Sequence, residues 1–328
     1  MIDYLDKIKH KKVLVTGGLG FVGHNLVNTL LDTFNCEITV VDNCLNSSPD
    51  ILGENLSKIT FINTDVLNIE AYQEVLNNAN YIFHLACVQI AASSKNAEYD
   101  LEVNALSTLR ILEYFKKNPS GNLEKFIYTS SASVYGSSTN LPLNELSYPQ
   151  VLSNYAATKL LGENFTMIYG KNYGIPVTSV RYSNVYGYGQ SPKNPYCGVL
   201  GKFIDSALNG KELPVIGDGE QTRDYTFVTD AVQATIIAAV HPMAINDVFN
   251  IGTGVEISVI RLAELIKEII PSIHITRLPE RDIDNIRRRV VDIEKIHQKL
   301  NWTPIINIKK GIEETINWYK SNLINSKD

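Results

Sequence analysis

The sequence contains few of the residues that build disulfide frameworks and metal centres. Its 328 residues include only four cysteines and six histidines. The cysteines stand at positions 36, 44, 87 and 197 without a paired spacing, and the histidines are scattered along the chain. Because zinc sites and small disulfide-linked folds both need a regular spacing of such residues, the sequence indicates neither. We expect no metal ion.

The chain also lacks an excess of positive charge and a long apolar run. Its formal net charge is −5 at pH 7, which argues against a surface that binds nucleic acid or an anionic membrane. No apolar run is long enough to span a bilayer, and the first twelve residues contain no apolar signal core. We therefore expect a cytoplasmic protein that contacts neither nucleic acid nor membrane.

What the sequence does contain begins with a glycine-rich turn at Lys12–Gly23, which reads KVLVTGGLGFVG. An apolar strand precedes its glycines, and residues 24–34 have helical periodicity. The glycines let the backbone approach a phosphate, and the helix end offers free N–H groups and a positive dipole. By itself this spacing could mark a structural turn. A second strand, Glu37–Asp42, ends in an acidic residue about twenty residues further on, as a dinucleotide site requires.

The first half of the chain alternates strands and helices. Near-continuous apolar strands joined by helices predict a parallel sheet that is covered on both faces, and residues 43–57 are predicted to be a loop. The further candidate strands are 59–63, 81–86, 125–130 and 177–182, and the candidate helices are 69–78, 97–118 and 153–173.

After residue 183 the loops lengthen and the predicted elements become short and mixed. We therefore predict an α/β protein with a Rossmann-type doubly wound parallel sheet and a smaller mixed α/β C-terminal lobe that binds substrate. The length is compatible with about two domains, predicted at 1–183, with 226–252 returning to it, and at 184–328. The candidate strands of the second part are 213–216, 226–228, 248–251 and 274–277, and its candidate helices are 202–209, 230–240, 259–270 and 308–324.

Side chains that suit alcohol oxidation are predicted to meet at one end of the sheet. Tyr155 and Lys159 are four residues apart in a predicted helix, so they share one helix face. Ser131 and Ser133 follow a strand, and ligands of open α/β sheets bind beyond the carboxyl ends of the strands. A hydroxyl, a phenol and an ammonium beside a nicotinamide ring can relay a proton while an alcohol is oxidised. Without the nucleotide-binding pattern, an exposed tyrosine and lysine pair would be the simpler interpretation.

Tyr155 would act as the base of such a reaction. A tyrosine has a reference pKa of about 10, so action near pH 7 requires a decrease of roughly 3 units, or about 4 kcal/mol. The neighbouring ammonium of Lys159 and a cationic nicotinamide ring in a partly desolvated cleft are expected to lower the pKa by that amount.

Together these motifs resemble the extended short-chain dehydrogenase/reductases over nearly the whole chain. The segment Ile216–Tyr225, which reads IGDGEQTRDY, is similar to the sugar-nucleotide epimerase/dehydratase branch of that family. Within the branch, the chain most resembles the UDP-hexose 4-epimerases. The motifs that carry the resemblance are Gly17–Gly23, Asp42, Asp65-Val66, His84–Ala86, Asn104, Ser131–Gly136, Tyr155, Lys159 and Arg181–Gly187.

The resemblance implies NAD as the cofactor. The glycine turn would bind the pyrophosphate, and Asp42 would bind the adenosine ribose and repel the 2′-phosphate of NADP. Asp65 and Val66 would hold the adenine, and Lys159 would bind the nicotinamide ribose and lower the pKa of Tyr155. The implied cofactor residues are Gly17, Gly20, Phe21, Val22, Gly23, Asp42, Asn43, Asp65, Val66, Leu85, Ala86, Asn104, Tyr155, Lys159 and Tyr182.

The resemblance also implies a nucleotide-diphosphate sugar as the substrate. Ser131 would hold the sugar 4-hydroxyl while Tyr155 removes its proton and the C4 hydride passes to NAD⁺. Arginines would bind the diphosphate, and Asp284 the nucleotide ribose. For Val199, Leu200 and Asp284 a packing or surface role is equally compatible. The implied substrate residues are Ser131, Ser133, Asn184, Val199, Leu200, Ile216, Arg223, Arg281 and Asp284.

Two positions after the catalytic serine favour one reaction of the branch. The 4,6-dehydratases carry Asp-Glu where this chain has Ala132-Ser133, and UDP-glucuronate decarboxylases carry Glu at the position of Ser133. The resemblance therefore favours a 4-epimerase. One alternative is a nucleotide-sugar 4-dehydrogenase, or another 4-keto-forming enzyme for UDP-, GDP- or dTDP-sugars, that releases its product. The other is a non-catalytic protein that binds NAD or a sugar nucleotide.

The chain departs from the family pattern near its substrate residues. One extra residue lies between Arg281 and Asp292, so Asp284 and Asn285 compete for the ribose role. The position that limits sugar size falls at Arg288 or Arg289, where a cation could bind a carboxylate or extra hydroxyls, or could point to solvent.

The helices predicted at 97–118 and 153–173 match those that pair into a four-helix bundle in dimers of the family. The resemblance therefore predicts a homodimer or a higher homo-oligomer.

Overall fold

The computed structural model describes residues 4–119, 121–190, 198–280 and 286–325. Its largest element is a seven-stranded parallel sheet in the order β10-β6-β5-β4-β1-β2-β3. The strands of the described residues are β1 (Lys12–Thr16), β2 (Glu37–Asp42), β3 (Thr60–Asn63), β4 (Tyr81–His84), β5 (Lys125–Ser131), β6 (Val177–Tyr182), β7 (Asn184–Tyr186), β8 (Leu213–Ile216), β9 (Thr222–Phe227), β10 (Asp247–Ile251), β11 (Glu256–Ser258) and β12 (Ile275–Leu278).

Helices cover both faces of this sheet, and short helical turns lie between them. The α-helices are α1 (Phe21–Phe34), α2 (Gln73–Asn78), α3 (Ile90–Ser93), α4 (Ala97–Leu101), α5 (Ser107–Lys117), α6 (Asn154–Tyr173), α7 (Val199–Leu208), α8 (Val228–Val240), α9 (Val259–Ile269), α10 (Glu294–Leu300) and α11 (Ile308–Asn325). The short turns include 3-10 turns at Leu5–Ile8, Pro49–Lys58, Ile69–Tyr72, Ala132–Tyr135 and Pro242–Ala244, and a π turn at Glu102–Leu106.

The strand order places the first strand beside the second and the fourth, which is the doubly wound arrangement that binds dinucleotides. One face of the sheet packs against α1 and α8, and the other packs against α5 and α6. Because both faces are covered, strand interiors such as Tyr81–His84 are buried without alternation. The predicted fold class is confirmed. We call the seven-stranded sheet and its covering helices the large-sheet region.

Two small sheets form a second part, which we call the small-sheet region. β9 pairs antiparallel with β11 and parallel with β7, and β8 pairs parallel with β12. These sheets share an apolar core with α7, α9 and α11. The predicted division of the chain into two domains stays a prediction.

The structure corrects several predicted elements. The predicted loop 43–57 contains 3-10 turns, because Pro49 favours a helical start and the Ser48 side chain accepts from the Asp50 N–H. The strand predicted at 226–228 begins earlier, at Thr222. Its first three residues, which pair with β11, are polar, so they lack the apolar pattern of a strand. The predicted helix 202–209 begins earlier, at Val199.

The predicted helix 97–118 is also interrupted. Its middle turn, Glu102–Leu106, is a π turn. The carbonyl of Asn104 accepts a hydrogen bond from the Tyr128 hydroxyl at 2.9 Å, and π turns inside helices often mark functional sites. Among the helices of the described residues, none combines the length and apolar character that a bilayer crossing requires.

Candidate active site

The glycine turn between β1 and α1 has no space for side chains. Gly17 has φ +69°, and a Cβ there would lie 2.6 Å from the Ala86 nitrogen. A Cβ on Gly23 would lie 2.2 Å from the Gly17 carbonyl oxygen. Gly20 precedes the first residue of α1, so the free N–H groups of Phe21 and Val22 lie at the helix start. The turn therefore fits a pyrophosphate group that approaches the backbone closely.

Asp42 ends β2 beside this turn. One carboxylate oxygen accepts from the Leu19 N–H at 3.1 Å, and the other accepts from the Cys44 N–H and the Ser47 hydroxyl, both at 3.0 Å. These bonds fix a partly exposed carboxylate at the predicted ribose position. The arrangement fits the diol of an adenosine ribose and disfavours a 2′-phosphate by charge.

Asp65 lies beyond the end of β3 and is held by two side chains. One of its carboxylate oxygens accepts from Asn43 Nδ2 at 3.0 Å and from the Tyr99 hydroxyl at 2.9 Å. The sequence interpretation missed Tyr99, because a contact over 34 residues leaves no local pattern. Burial, with the hydrogen bond to Asp65, raises the pKa of Tyr99 to about 12, so Tyr99 stays a donor at neutral pH. Val66 and Leu85 are buried nearby, and Ala86 is partly exposed at the mouth of the turn.

The predicted catalytic residues converge beyond the carboxyl end of β5. Ser131 is the last residue of that strand, and its hydroxyl accepts from the Ser133 N–H at 3.2 Å and from the Ser133 hydroxyl at 2.8 Å. Tyr155 and Lys159 lie on successive turns of α6, which Ser153 caps by accepting from the Ala156 N–H. Lys159 is 2 % exposed, and its Nζ lies 4.6 Å from the centre of the Tyr128 ring.

Without NAD, the pKa of Tyr155 lies above its ordinary value. Burial raises it, the charge of Cys87 raises it further, and only the hydrogen bond with Ser131 acts to lower it among the main influences. Burial also lowers the pKa of Lys159, which Cys87, Asp100 and Glu163 counteract. The expected decrease is therefore not produced by the side chains of the chain alone. Bound NAD⁺ would supply the additional positive charge.

Asn104 lies in the π turn and is fully buried, so it supports the site and does not line its open cleft. Its side chain accepts from the Val88 N–H at 2.8 Å and donates to the Val88 carbonyl at 3.1 Å. It also donates to the Thr158 hydroxyl, at 3.2 Å, and to Asp100. Asn104 thereby joins the loop after β4 to α6. Asp100 and Thr158 were missed, although Asp100 precedes Asn104 by one helical spacing in the sequence.

Two buried rings form the floor beneath Lys159. His84 is 1 % exposed and contacts the hydroxyls of Thr16, Ser107 and Thr108 at 2.8 to 3.1 Å. Burial lowers its pKa to about 3, so the ring is neutral at pH 7. Tyr128 packs against His84 and donates to the Asn104 and Lys159 carbonyls. The floor is thus rigid and uncharged.

Apart from Ser131 and Ser133, the predicted substrate residues that the structure describes lie in elements of the small-sheet region. The predicted cofactor residue Tyr182 ends β6, and its hydroxyl lies 2.7 Å from Thr235 Oγ1. Asn184 begins β7 and Ile216 ends β8, both partly exposed. Leu200 is 1 % exposed in the apolar core, which favours the packing role for its side chain, and Val199 lies beside it at the start of α7.

Arg223 projects from β9 and donates to the Thr222 carbonyl at 2.7 Å and to the Ile286 carbonyl at 2.9 Å. Its guanidinium thus holds the segment that follows residue 285. Arg281 and Asp284 lie outside the described residues.

The arginines at 287–289 are not equivalent. Arg287 pairs with Asp218 at 2.6 Å, and Arg288 pairs with Glu256, both at the surface. Of the two predicted roles for Arg288, binding the sugar or pointing to solvent, the exposed side chain fits the second. Arg289 is partly buried, and its carbonyl accepts from the Asp224 N–H of β9. Of the two predicted size-limiting positions, 289 is the one whose side chain turns inward.

A doubly wound sheet with a tight glycine turn, an acid after β2 and a serine, tyrosine and lysine set beyond β5 defines a nucleotide-dependent dehydrogenase of the short-chain type. The model of the NAD dependent epimerase/dehydratase family matches residues 13–252. The chain belongs to that family. It is accordingly an NAD-dependent enzyme of sugar-nucleotide chemistry.

The relatives of the chain include more than one activity. A putative UDP-glucose 4-epimerase of Methanocaldococcus jannaschii is 33% identical, over 94% of this chain and 99% of the relative. A UDP-N-acetyl-alpha-D-glucosaminuronate decarboxylase of Bacillus cytotoxicus is 32% identical, over 94% and 98%.

Two solved structures superimpose on most of the chain. A UDP-N-acetylglucosamine 4-epimerase of Methanobrevibacter ruminantium, in complex with UDP-N-acetylmuramic acid, has a TM-score of 0.89 at 32% identity, covering 96% of this chain and 99% of the other. A UDP-glucuronic acid 4-epimerase of Bacillus cereus, in complex with UDP-glucuronic acid and NAD, has a TM-score of 0.84 at 28% identity, covering 94% and 99%.

Proposed function

We propose that the chain is an NAD-dependent nucleotide-sugar 4-epimerase that oxidises the sugar transiently at C4. Two features of the site carry the proposal. Ser131, Tyr155 and Lys159 are all present, and Ala132 and Ser133, which directly follow Ser131, offer no carboxylate. Elimination of water or loss of a carboxyl group needs further acid or base groups at the sugar. A site with only the hydroxyl, phenol and ammonium is suited to reversible oxidation.

In the proposed mechanism Ser131 holds the 4-hydroxyl of the sugar, and the phenolate of Tyr155 removes its proton. When bound, NAD supplies the acceptor and then the donor of the C4 hydride. Lys159 would hold the nicotinamide ribose, and its positive charge near Tyr155 would favour the phenolate. After the 4-keto sugar turns over, Tyr155 returns the proton to the C4 oxygen. Oxidation and reduction cancel, so the products contain no net NADH.

Support for a diphosphate-linked substrate comes from the small-sheet region. Arg223 is anchored at the segment after residue 285, and Arg289 turns inward beside β9. Arginine suits phosphate oxygens because its guanidinium offers several donors in one plane. We assign the diphosphate to Arg223 and, from the resemblance, to Arg281. The nucleotide ribose is assigned to Asp284 or Asn285.

The test incubates purified protein with a panel of UDP-, GDP- and dTDP-sugars and follows C4 by NMR and NADH by absorbance. The proposal expects the C4 epimer of at least one sugar without net NADH. Net NADH with a 4-keto product would instead establish a 4-keto-forming enzyme. An absence of turnover with every sugar, while NAD stays bound, would favour a binding protein.

A single variant tests the catalytic base. Tyr155→Phe removes the phenol, so turnover is expected to fall by roughly 10²–10⁴-fold while NAD content stays that of the wild type. Tyr148→Phe is the matched control, because Tyr148 is 81 % exposed. Wild-type turnover in Tyr155→Phe would overturn the assignment.

We also propose that the enzyme works as a homodimer in the cytoplasm, in carbohydrate biosynthesis. Leu101 of α4 and Leu161 and Ile168 of α6 are 36–46 % exposed apolar side chains on the two predicted pairing helices. Covering them by a second copy would bury apolar surface. Analytical ultracentrifugation tests this: the wild type should sediment as a dimer, and Ile168→Asp should weaken the association.

A further inference from the structure

Beneath the catalytic turn of α6 lies a buried carboxylate to which the proposed reaction gives no role. Asp100, in α4, is fully buried. Ser93 donates to one of its oxygens at 2.5 Å, and Thr158 donates to the other at 3.0 Å, together with the Asn104 amide. Within the described part of the chain, no lysine or arginine pairs with it. A buried carboxylate without an ion pair is costly, so its presence needs an explanation.

The hydrogen bonds connect this carboxylate to the residues between the base and the ammonium. Thr158 precedes Lys159 in the chain, and its hydroxyl also lies 3.1 Å from the Tyr155 carbonyl. Asn104 Nδ2 lies 3.2 Å from the same hydroxyl. Asp100 is thus the common acceptor of one donor from α6 and one donor from the π turn. Its hydrogen bonds therefore join the π turn to α6 at the residue that lies between Tyr155 and Lys159.

The carboxylate also bears on the charge of the site. Cys87, from the loop after β4, Asp100, and Glu163, one turn further along α6, all raise the pKa of Lys159 against its burial. The carboxylate of Glu163 is bound by the guanidinium of Arg181 at 2.5 and 2.9 Å. Among the described residues, Asp100 is therefore the carboxylate near Lys159 that forms no ion pair. Burial raises the pKa of Asp100, while the hydrogen bonds from Ser93 and Thr158 and the charge of Lys159 act to lower it.

The other titratable groups around Lys159 are uncharged at neutral pH. Burial lowers the pKa of His84 to about 3, and burial raises the pKa of Tyr128 well above its ordinary value. Asp100 also raises the pKa of Tyr155. The pair of Tyr155 and Lys159 therefore responds to the charge at position 100.

We propose that Asp100 is a positioning residue of the active site: through Thr158 and Asn104 it fixes the turn of α6 that carries Tyr155 and Lys159, and its carboxylate balances the Lys159 ammonium. This role deepens the proposed function and rests on it for the identity of the reaction. The role acts through other residues, because Asp100 is fully buried and cannot contact substrate.

The test compares the wild type with Asp100→Asn. This variant keeps the size of the side chain but removes its charge and replaces one acceptor oxygen by an NH₂ donor, so at least one of the hydrogen bonds from Ser93, Thr158 and Asn104 is lost. The turnover number is expected to fall roughly tenfold or more, since small misplacements of catalytic groups have large effects, with NAD content and KM nearly unchanged. The ionisation of Tyr155 is expected to move to lower pH, because a negative charge that opposes the phenolate is gone. Ultraviolet titration of tyrosinate measures this as the difference between each protein and the same protein carrying Tyr155→Phe.

A matched pair at Thr158 separates position from charge. Thr158→Val removes the hydroxyl and should lower the turnover number without moving the Tyr155 ionisation. Thr158→Ser keeps the hydroxyl and should retain activity.

An Asp100→Asn protein whose Tyr155 titrates at the wild-type pH would show that Asp100 is only structural, and this would overturn the proposal. Wild-type turnover in Asp100→Asn would overturn it as well. If Asp100→Asn does not fold, the Thr158 variants decide: equal turnover of Thr158→Val and Thr158→Ser would overturn the proposal. The titration needs no turnover, so a wild type that converts no sugar nucleotide contradicts the proposed function and leaves the test of Asp100 intact.

Discussion

An ion pair of the large-sheet region and two ion pairs of the small-sheet region hold their charges in opposite ways. Arg181 of β6 and Glu163 of α6 form an ion pair whose side chains are only 6 % and 3 % exposed. In the small-sheet region, Arg287 and Arg288 pair with acidic side chains while remaining 55 % and 57 % exposed. The buried pair lies beneath the catalytic residues, and the exposed pairs lie on the segment proposed to bind substrate.

The difference has a physical consequence for how the two regions work. Water and salt weaken an exposed pair, so its arginine can exchange one anionic partner for another at little cost. A buried pair has no such freedom, because either charge left alone would be strongly destabilising. The geometry around the proposed cofactor site is therefore fixed by the fold, while the exposed Arg287 and Arg288 can change partners. Four variants can break or sharpen this comparison.

The largest effect is expected from the buried pair. Arg181→Met keeps an unbranched apolar stem but leaves Glu163 as an unpaired buried charge, so the free energy of unfolding should fall by about 3–5 kcal/mol. Arg181 also donates to the Tyr135 hydroxyl at 2.7 Å, which ties the Ser131 segment to β6. Urea unfolding measures the loss.

The matched control for Arg181→Met replaces both charges. The double variant Arg181→Met with Glu163→Leu should regain part of the lost stability, because no unpaired charge remains. Equal stability of the single and double variants would mean that lost packing, and not the charge, is responsible.

A second effect comes from a buried lysine at the opposite end of the sheet from the active site. Lys125 begins β5 and is 3 % exposed, and its Nζ has no hydrogen-bond partner among the residues that the structure describes. Burial, with the charge of Lys7, lowers its pKa from 10.5 to about 8. The folded protein therefore binds this proton more weakly than the unfolded chain does. The resulting loss of stability is at its full size below pH 8 and disappears above about pH 10.5.

Lys125→Met should consequently stabilise the protein. At about 1.36 kcal/mol per pKa unit, the gain at pH 7 is about 3 kcal/mol. The gain should shrink as the pH rises through 8 toward 10. Urea unfolding at three pH values measures the gain in the free energy of unfolding. A gain that does not change with pH would mean that improved apolar packing, and not the removed charge, is the cause.

A third variant tests how closely the glycine turn constrains the cofactor. A methyl group on Gly23 would lie 2.2 Å from the Gly17 carbonyl oxygen, so Gly23→Ala must displace the turn. NAD affinity is expected to fall roughly tenfold or more, which is about 1.4 kcal/mol. Gly121→Ala is the control, since no atom lies within 4 Å of the added methyl group. Calorimetry on NAD-stripped protein compares the two, and equal affinities would contradict a tightly fitted turn.

The sequence predicts the large-sheet region well because its signals are local. The glycine turn and Asp42 lie in consecutive elements, and Tyr155 and Lys159 lie within one helix, so short patterns place them. Every strand of the predicted parallel sheet is present. How strongly the phenol of Tyr155 is desolvated does not show in the sequence: burial raises its pKa in the chain alone, so the lowered pKa expected with NAD bound stays a prediction.

Contacts between distant residues could not be predicted in the same way. The bond from Tyr99 to Asp65 spans 34 residues, and the bond from Thr158 to Asp100 spans 58. The π turn has no periodic signature, since one inserted residue changes the hydrogen bonds and not the composition. In the small-sheet region, Arg288 finds Glu256 across 32 residues. Such pairings depend on how elements pack, which a single sequence does not specify.

The smallest effect is expected from the exposed pair, and it tests the other side of the comparison. Arg288→Met removes the partner of Glu256 at the surface, where both groups can be hydrated. The midpoint of urea unfolding should stay within error of the wild type, in contrast to Arg181→Met. The difference between the midpoints of the wild type and Arg288→Met should stay the same at higher salt concentration, because hydration and screening already weaken the pair of Arg288 and Glu256. A clear loss of stability in Arg288→Met would mean that the segment after residue 285 is held as firmly as the cofactor site, and the distinction between a fixed and an adjustable region would fail.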